Sequence, residues 1–191
     1  MSGVLEAARL VATIRLIVAL AACVLALPAW AGDSAYEIHR APFEDLEKID
    51  VRLISEARRN IDMAAFVLTD APVINALAAA AARGVQIRVY LDAGQYAQHG
   101  REAAGPMRKL LATVNVQAKV KGSRVLMHLK AYDVDGELLR TGAGNLSSSG
   151  LTQQDNDMLI LFDHDEIEAF RRDFDRMWDR PSNRSLEIIV P

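Results

Sequence analysis

The sequence predicts an α/β fold, a mixed β-sheet with helices on both faces, in one domain that follows a short export segment. Three observations predict it. From residue 43 onward, apolar runs of strand length alternate with stretches of helical periodicity. One Asp-Gly pair, Asp135-Gly136, lies between two alternating runs and marks a hairpin, which adds antiparallel pairing to the βα pattern. The composition, 51% hydrophobic and 25% charged over 191 residues, is that of an ordinary globular protein. That balance excludes a disordered or fibrous chain. The formal net charge of −3 excludes a histone-like polycation, so contact with nucleic acid or anionic lipid must come from a local patch.

The N-terminus reads as a secretory signal peptide over residues 1–31. Arg9 and Arg15 precede an apolar run from Leu16 to Ala31, broken by Pro28 and ending in Ala29-Trp30-Ala31 before polar Gly32-Asp33-Ser34. The run is short for a bilayer span, although a retained anchor helix is the rival reading. Leu20-Ala21-Ala22-Cys23 also resembles a lipobox, but the residues after Cys23 stay apolar where a lipidated cysteine would open a polar tether. Cleavage near Ala31 removes the single cysteine, which suits an oxidising periplasm or exterior. One cysteine per chain rules out an internal disulfide and a cysteine-built zinc site. Residues 32–42 read as a lead-in and 43–191 as a single domain.

Within that domain, Phe43, Leu46, Ile49, Leu53 and Ile54 recur at helical spacing, with acids in the first turns and Arg58-Arg59 in the last. Ile61 to Leu68 reads as a buried strand. Thr69-Asp70-Ala71-Pro72 is an N-cap signature that opens an alanine-rich helix, and Arg83-Gly84 stops it before a strand from Val85 to Leu91. A polar loop is expected from Asp92 to Gly105, then a short helix from Met107 to Ala112 and a strand from Val114 to Val120. Val125 to Val134 is the longest strand candidate, and Leu138 to Thr141 returns across the hairpin. Met158 to Phe162 closes the sheet. A last helix runs from about Asp165 to Trp178, with Ile167, Phe170, Phe174 and Trp178 on one face. No internal repeat or low-complexity segment interrupts the pattern.

The chemistry concentrates in His128-Leu129-Lys130-Ala131-Tyr132-Asp133-Val134-Asp135 and, six residues on, Gly142-Ala143-Gly144-Asn145. On a strand, His128 and Lys130 share a face, whereas Asp135 faces away and suits fixing the hairpin. Gly142 and Gly144 let the backbone turn tightly toward a short helix expected at Asn145, where amide hydrogens and the Asn145 side chain can meet an anion. An imidazole, an ammonium and a carboxamide around one point make a phosphate site: a nucleophile, a counter-charge and a hydrogen-bond donor. Arg108, Lys109, Lys119, Lys121 and Arg124 precede the motif and are the candidate rim of a groove for a polyanion, or a solvated face. His39, His99 and His164 stand outside any such motif and read as surface residues. Phe66 and Trp178 read as core packing.

This arrangement resembles the HKD signature of the phospholipase D superfamily, H-x-K-x4-D-x6-G-S-x-N. The stretch Ile61 to Thr69, with Arg83-Gly84-Val85-Gln86-Ile87-Arg88-Val89, is similar to the N-terminal half of the small bacterial Nuc-type endonucleases, and the similarity spans residues 43–178. The resemblance implies a phospholipase D-like α/β/α sandwich. It also implies that one histidine attacks the phosphodiester to form a phosphohistidine while a second, from a second motif, protonates the leaving oxygen. With one motif per chain, it implies a homodimer in which His128 of each subunit enters a shared site, and neither a metal nor a cofactor is called for. Carried over, His128, Lys130, Asn145 and Asp155 are catalytic, and Asp135, Gly142, Ala143 and Gly144 support them. Two departures stand out: Ala143 replaces the family's serine, and Asp155 stands where the Nuc-type pattern has a glutamate that holds the histidine ring. The functional readings are a nuclease, a phospholipase D acting on membrane headgroups, and a weakened enzyme that binds nucleic acid or anionic lipid without turnover. An exposed apolar rim beside the motif would mark the phospholipase, and the sequence shows none clearly.

Overall fold

The computed structural model describes residues 35–99 and 104–186; the signal-peptide, anchor and lipobox readings lie outside the described residues. Eight strands form one sheet: β1 (Tyr36–Ala41), β2 (Asn60–Ala65), β3 (Gln86–Leu91), β4 (Val116–Val120), β5 (Lys130–Val134), β6 (Leu138–Gly142), β7 (Asn156–Leu161) and β8 (Arg184–Ser185). Their order is β1-β7-β6-β5-β2-β3-β4-β8. β2, β3 and β4 run parallel, and every other pairing is antiparallel. The helices are α1 (Leu46–Glu56), α2 (Ala71–Ala82), α3 (Ala93–His99), α4 (Ala104–Ala112), α5 (Ser148–Thr152) and α6 (His164–Trp178).

The mixed sheet covered on both faces is therefore what the sequence predicts. Strand alternation explains the layering: Ile61, Met63 and Ala65 of β2 join the apolar cluster that α1, α2 and α4 build on one face, while Ala64 packs with Phe174 and Trp178 of α6 on the other. Helix starts follow their caps. Asp45 accepts from the Lys48 amide and Asp70 from that of Val73, so α1 starts at Leu46 and not at Phe43, whose side chain is 88% exposed.

Four further expectations are corrected. The lead-in contains β1, an edge strand paired along its length with β7, so the domain starts before residue 43. The loop from Asp92 to Gly105 contains α3, started by Asp92, whose Oδ1 accepts from the Gln95 amide at 3.0 Å. The strand expected from Val125 begins only at Lys130, because the Met127 amide donates to Asp92 Oδ2 at 3.0 Å instead of joining a ladder. The helix expected at Asn145 begins at Ser148, capped by Ser147.

Below the start of β5 lies a buried ionic network. Asp50 and Arg140, both fully buried, are joined through Nε and Nη2 at 2.9 and 3.0 Å, and the Tyr132 hydroxyl donates to Asp50 at 2.7 Å. Arg140 Nη1 donates to the Lys130 carbonyl at 3.0 Å. Burial pushes the Asp50 carboxyl up, and Arg140 and the tyrosine hydroxyl oppose it. Such a network is costly to break, because removing one member strands the others. It fixes the residue from which the site is built.

Candidate active site

β2 is where parallel pairing with β3 meets antiparallel pairing with β5, and its carboxyl end, at Ala65, lies opposite Lys130. In open α/β sheets such a switch point is a common site of ligand binding. His128 and Lys130 meet there, although His128 precedes the strand. Lys130 Nζ lies 3.1 and 3.2 Å from the two ring nitrogens of His128 and donates to the His128 carbonyl at 3.0 Å. The imidazole is exposed and the lysine buried, at 8% exposure. Burial pulls the ammonium below the usual lysine range. Among the described residues, no carboxylate forms an ion pair with it.

Residues 66–70, which continue β2, bind both halves of the motif. The Phe66 amide donates to the Leu129 carbonyl at 2.7 Å, and the amides of Thr69 and Asp70 donate to the Leu146 carbonyl at 2.9 and 3.0 Å. Leu68 and Leu146 also form a parallel bridge. Asn145 is thereby set beside the β2 end, and its Oδ1 is buried without a hydrogen-bond partner. An unpaired buried polar atom costs about 1–3 kcal/mol, and it is tolerated where a ligand or water completes it. Turned over, the same carboxamide presents its NH2 to an anion.

The glycines carry the turn into Asn145. Gly142 has φ 148°, and a Cβ there would stand 2.5 Å from the Asp157 carbonyl oxygen. A Cβ on Gly144 would stand 3.1 Å from the Gly150 carbonyl oxygen. Ala143 is exposed, and its amide donates to Asp157 Oδ1 at 3.0 Å. Asp135 lies at the far end of β5. Its carboxylate accepts the amides of Arg58, Arg59 and Asn60 at 2.8, 2.7 and 2.9 Å, and its carbonyl accepts from Arg59 Nη2. It fastens the hairpin to the start of β2.

Within one chain, Asp155 does not reach the His128 ring. It is exposed in the turn before β7, with no hydrogen bond or ion pair among the described residues; the strand begins one residue later at Asn156, whose Nδ2 donates to the Gly150 carbonyl at 2.8 Å. The five basic residues have different settings. Lys119 donates to the Trp178 carbonyl at 3.1 Å with its Nζ 4.5 Å from the indole, and Lys121 donates to the Leu126 carbonyl at 3.0 Å. Arg108 and Lys109 are exposed on α4, and Arg124 is exposed in the segment leading to His128. His39 is not partnerless: it contacts Glu44 at 2.7 Å and Glu37 at 3.3 Å, and the Glu44 hydrogen bond raises its pKa.

Two features escaped the sequence. Asp92 holds both α3 and the residue before His128, a long-range bond with no local signal. Val125, Leu126 and Leu129, which flank His128 in the chain, stand 72%, 56% and 40% exposed, an apolar rim that a strand reading hides. Trp178 is core, stacked on Phe174, whereas Phe66 belongs to no apolar cluster and lies against His128.

The switch-point site gathers an imidazole, an ammonium and a carboxamide, groups suited to an anion such as phosphate. Residues 51–178 match the family model for the cardiolipin synthase, PLD-like domain, and the chain belongs to this phospholipase D-like family. Its fold matches that of Nuc from Salmonella typhimurium, with TM-score 0.71 and 20% identity over 80% of this chain and 97% of that one. NucT from Helicobacter pylori follows, with TM-score 0.67 and 18% identity over 75% and 95%. In sequence, the chain is 27% identical to the mitochondrial cardiolipin hydrolase of Xenopus tropicalis over 72% of its own length and 63% of the relative's. It is 25% identical to that of Homo sapiens over 74% and 54%. The chain thus spans less than two thirds of either relative.

Proposed function

We propose that the protein hydrolyses phosphodiesters without a metal, using His128 as nucleophile, and that its substrate is nucleic acid. The observation that carries this reading is the buried Lys130 ammonium, held against the exposed His128 ring with no carboxylate among the described residues to neutralise it. Such a cation suits the non-bridging oxygens of a phosphate, with Asn145 as the second contact. A ring nitrogen of His128 attacks phosphorus and the bond to the leaving oxygen breaks, that oxygen taking a proton from a protonated second histidine. Water then attacks the phosphohistidine and gives its proton to the second histidine as the P–N bond breaks, which returns both imidazoles to their starting forms. With one motif per chain, the second histidine is that of another copy, so the working unit is a homodimer. The site lies open at the surface, as a polymer crossing it requires, and Arg124 stands exposed nearby. Export of the chain past residue 31 belongs to the same reading.

Cleavage of plasmid DNA by the purified protein in excess EDTA is expected, with His128→Ala inactive. Retained cleavage in that variant would overturn the assignment. A phospholipid headgroup is the second reading, favoured by the exposed rim of Val125, Leu126 and Leu129 and by the name of the curated relatives. The same rim is where a second copy must approach if two His128 rings share one phosphate. Headgroup release from cardiolipin vesicles with intact plasmid would move the function to lipid.

A further inference from the structure

We infer that Phe66 is a positioning residue for the nucleophile, an inference that rests on the proposed role of His128. The Phe66 ring centroid lies 4.3 Å from that of His128, with the planes at 55°, and Lys130 Nζ stands 5.0 Å from the centre of the same ring. Its amide donates to the Leu129 carbonyl, between the two motif residues, so backbone and side chain grip the same three-residue segment. The ring is half-buried and outside all three apolar clusters, so core packing does not account for it. Phe66 also lines a cleft with Leu91, Tyr96 and Met107.

Two tasks follow from that geometry. An exposed imidazole turns freely unless something bounds it, and in-line attack needs one ring nitrogen aimed at phosphorus. Phe66 supplies a wall to an imidazole that, among the described residues, no carboxylate holds. The ammonium needs support inside the protein, yet a carboxylate partner would compete with the phosphate. An aromatic face attracts a cation without neutralising it, so Lys130 stays ordered and still available to an anion.

The test compares Phe66→Leu, which keeps apolar bulk and removes the ring, with Phe66→Tyr, which restores it. With bis(p-nitrophenyl) phosphate as substrate, Phe66→Leu is expected to lower kcat about tenfold and leave KM nearly unchanged, since misalignment acts on the chemical step. Phe66→Tyr is expected to recover most of kcat. In NMR spectra of the free protein, the His128 ring protons carry a ring-current shift in wild type that Phe66→Leu removes. Unchanged kcat in Phe66→Leu, or equal damage in Phe66→Tyr, would overturn the inference. So would unshifted His128 signals in an active wild-type protein. An inactive wild type whose His128 signals do carry the shift would instead overturn the proposed reaction and leave the contact standing, so the two failures are distinguishable.

Discussion

The two ends of β5 carry residues of one short motif under opposite bonding regimes. At the hairpin end, the Asp135 carboxylate takes three backbone amides, and its carbonyl takes an arginine. At the other end, among the described residues, Lys130 is a buried cation without an anion, His128 is exposed, and Asn145 keeps a buried oxygen with no partner. The hairpin end is satisfied by the protein itself, and the site end is left for something else to complete. The difference separates roles that a motif pattern lumps together, since Asp135 holds the strand whose opposite end presents the chemistry.

Lys130→Met is the variant that breaks this comparison most directly. It removes the counter-charge and keeps the stem, so kcat/KM in a diester assay is expected to fall by about 10²–10³. Its Tm is expected to hold or rise, because a buried, desolvated ammonium is replaced by an apolar side chain. A fall of several degrees would mean that Lys130 is structural and that the two ends do not differ as described.

Asp135→Ala should do the reverse. Three amides lose a charged acceptor in a part-buried turn, for an expected loss of about 3 kcal/mol in denaturant unfolding. A drop in Tm on the order of 10 °C would accompany it. The kcat of the folded fraction is expected to stay within about twofold of wild type, as sites this separate act independently. Loss of kcat at full stability would place Asp135 in the chemistry instead.

Most of the scaffold was legible because its signals are local: the Asp70 cap and Pro72, the Arg83-Gly84 stop, and Asp135-Gly136 with both residues at positive φ. β1 was not, because an edge strand with one neighbour carries Glu37, His39 and Arg40 in place of an apolar run. α3 was hidden by Gly94 and a polar composition, its start being set by Asp92. In the site, the meeting of His128 and Lys130 was legible from their two-residue spacing. The early end of the preceding strand reading was not, since the bond from Met127 to Asp92 spans 35 residues. Phe66 misled because an apolar run looks the same whether a residue within it enters the core or meets a histidine.

Between the two ends of β5 sits Asp133, fully buried on the α6 side, and it shows how far the satisfied regime reaches. Opposite it across β2 is another carboxylate, Asp62, while Arg171 of α6 stands 3.8 Å away, and the Asn60 side chain and the Gly136 amide donate to it. Burial pushes its carboxyl up to about 6, with Asp62 and Asp135 adding to the rise and Arg171 opposing it. The folded state therefore keeps a proton that the unfolded chain releases near the ordinary 3.8. Stability from this group is fully present below the unfolded value and is lost as pH rises through the folded one, a span worth up to about 3 kcal/mol. Between pH 4 and pH 7 the urea midpoint of wild type is expected to fall relative to that of Asp133→Asn, whose amide cannot ionise. Parallel profiles for the two proteins would mean that Arg171, Asn60 and Gly136 already satisfy the carboxylate, extending the hairpin regime to within three residues of Lys130.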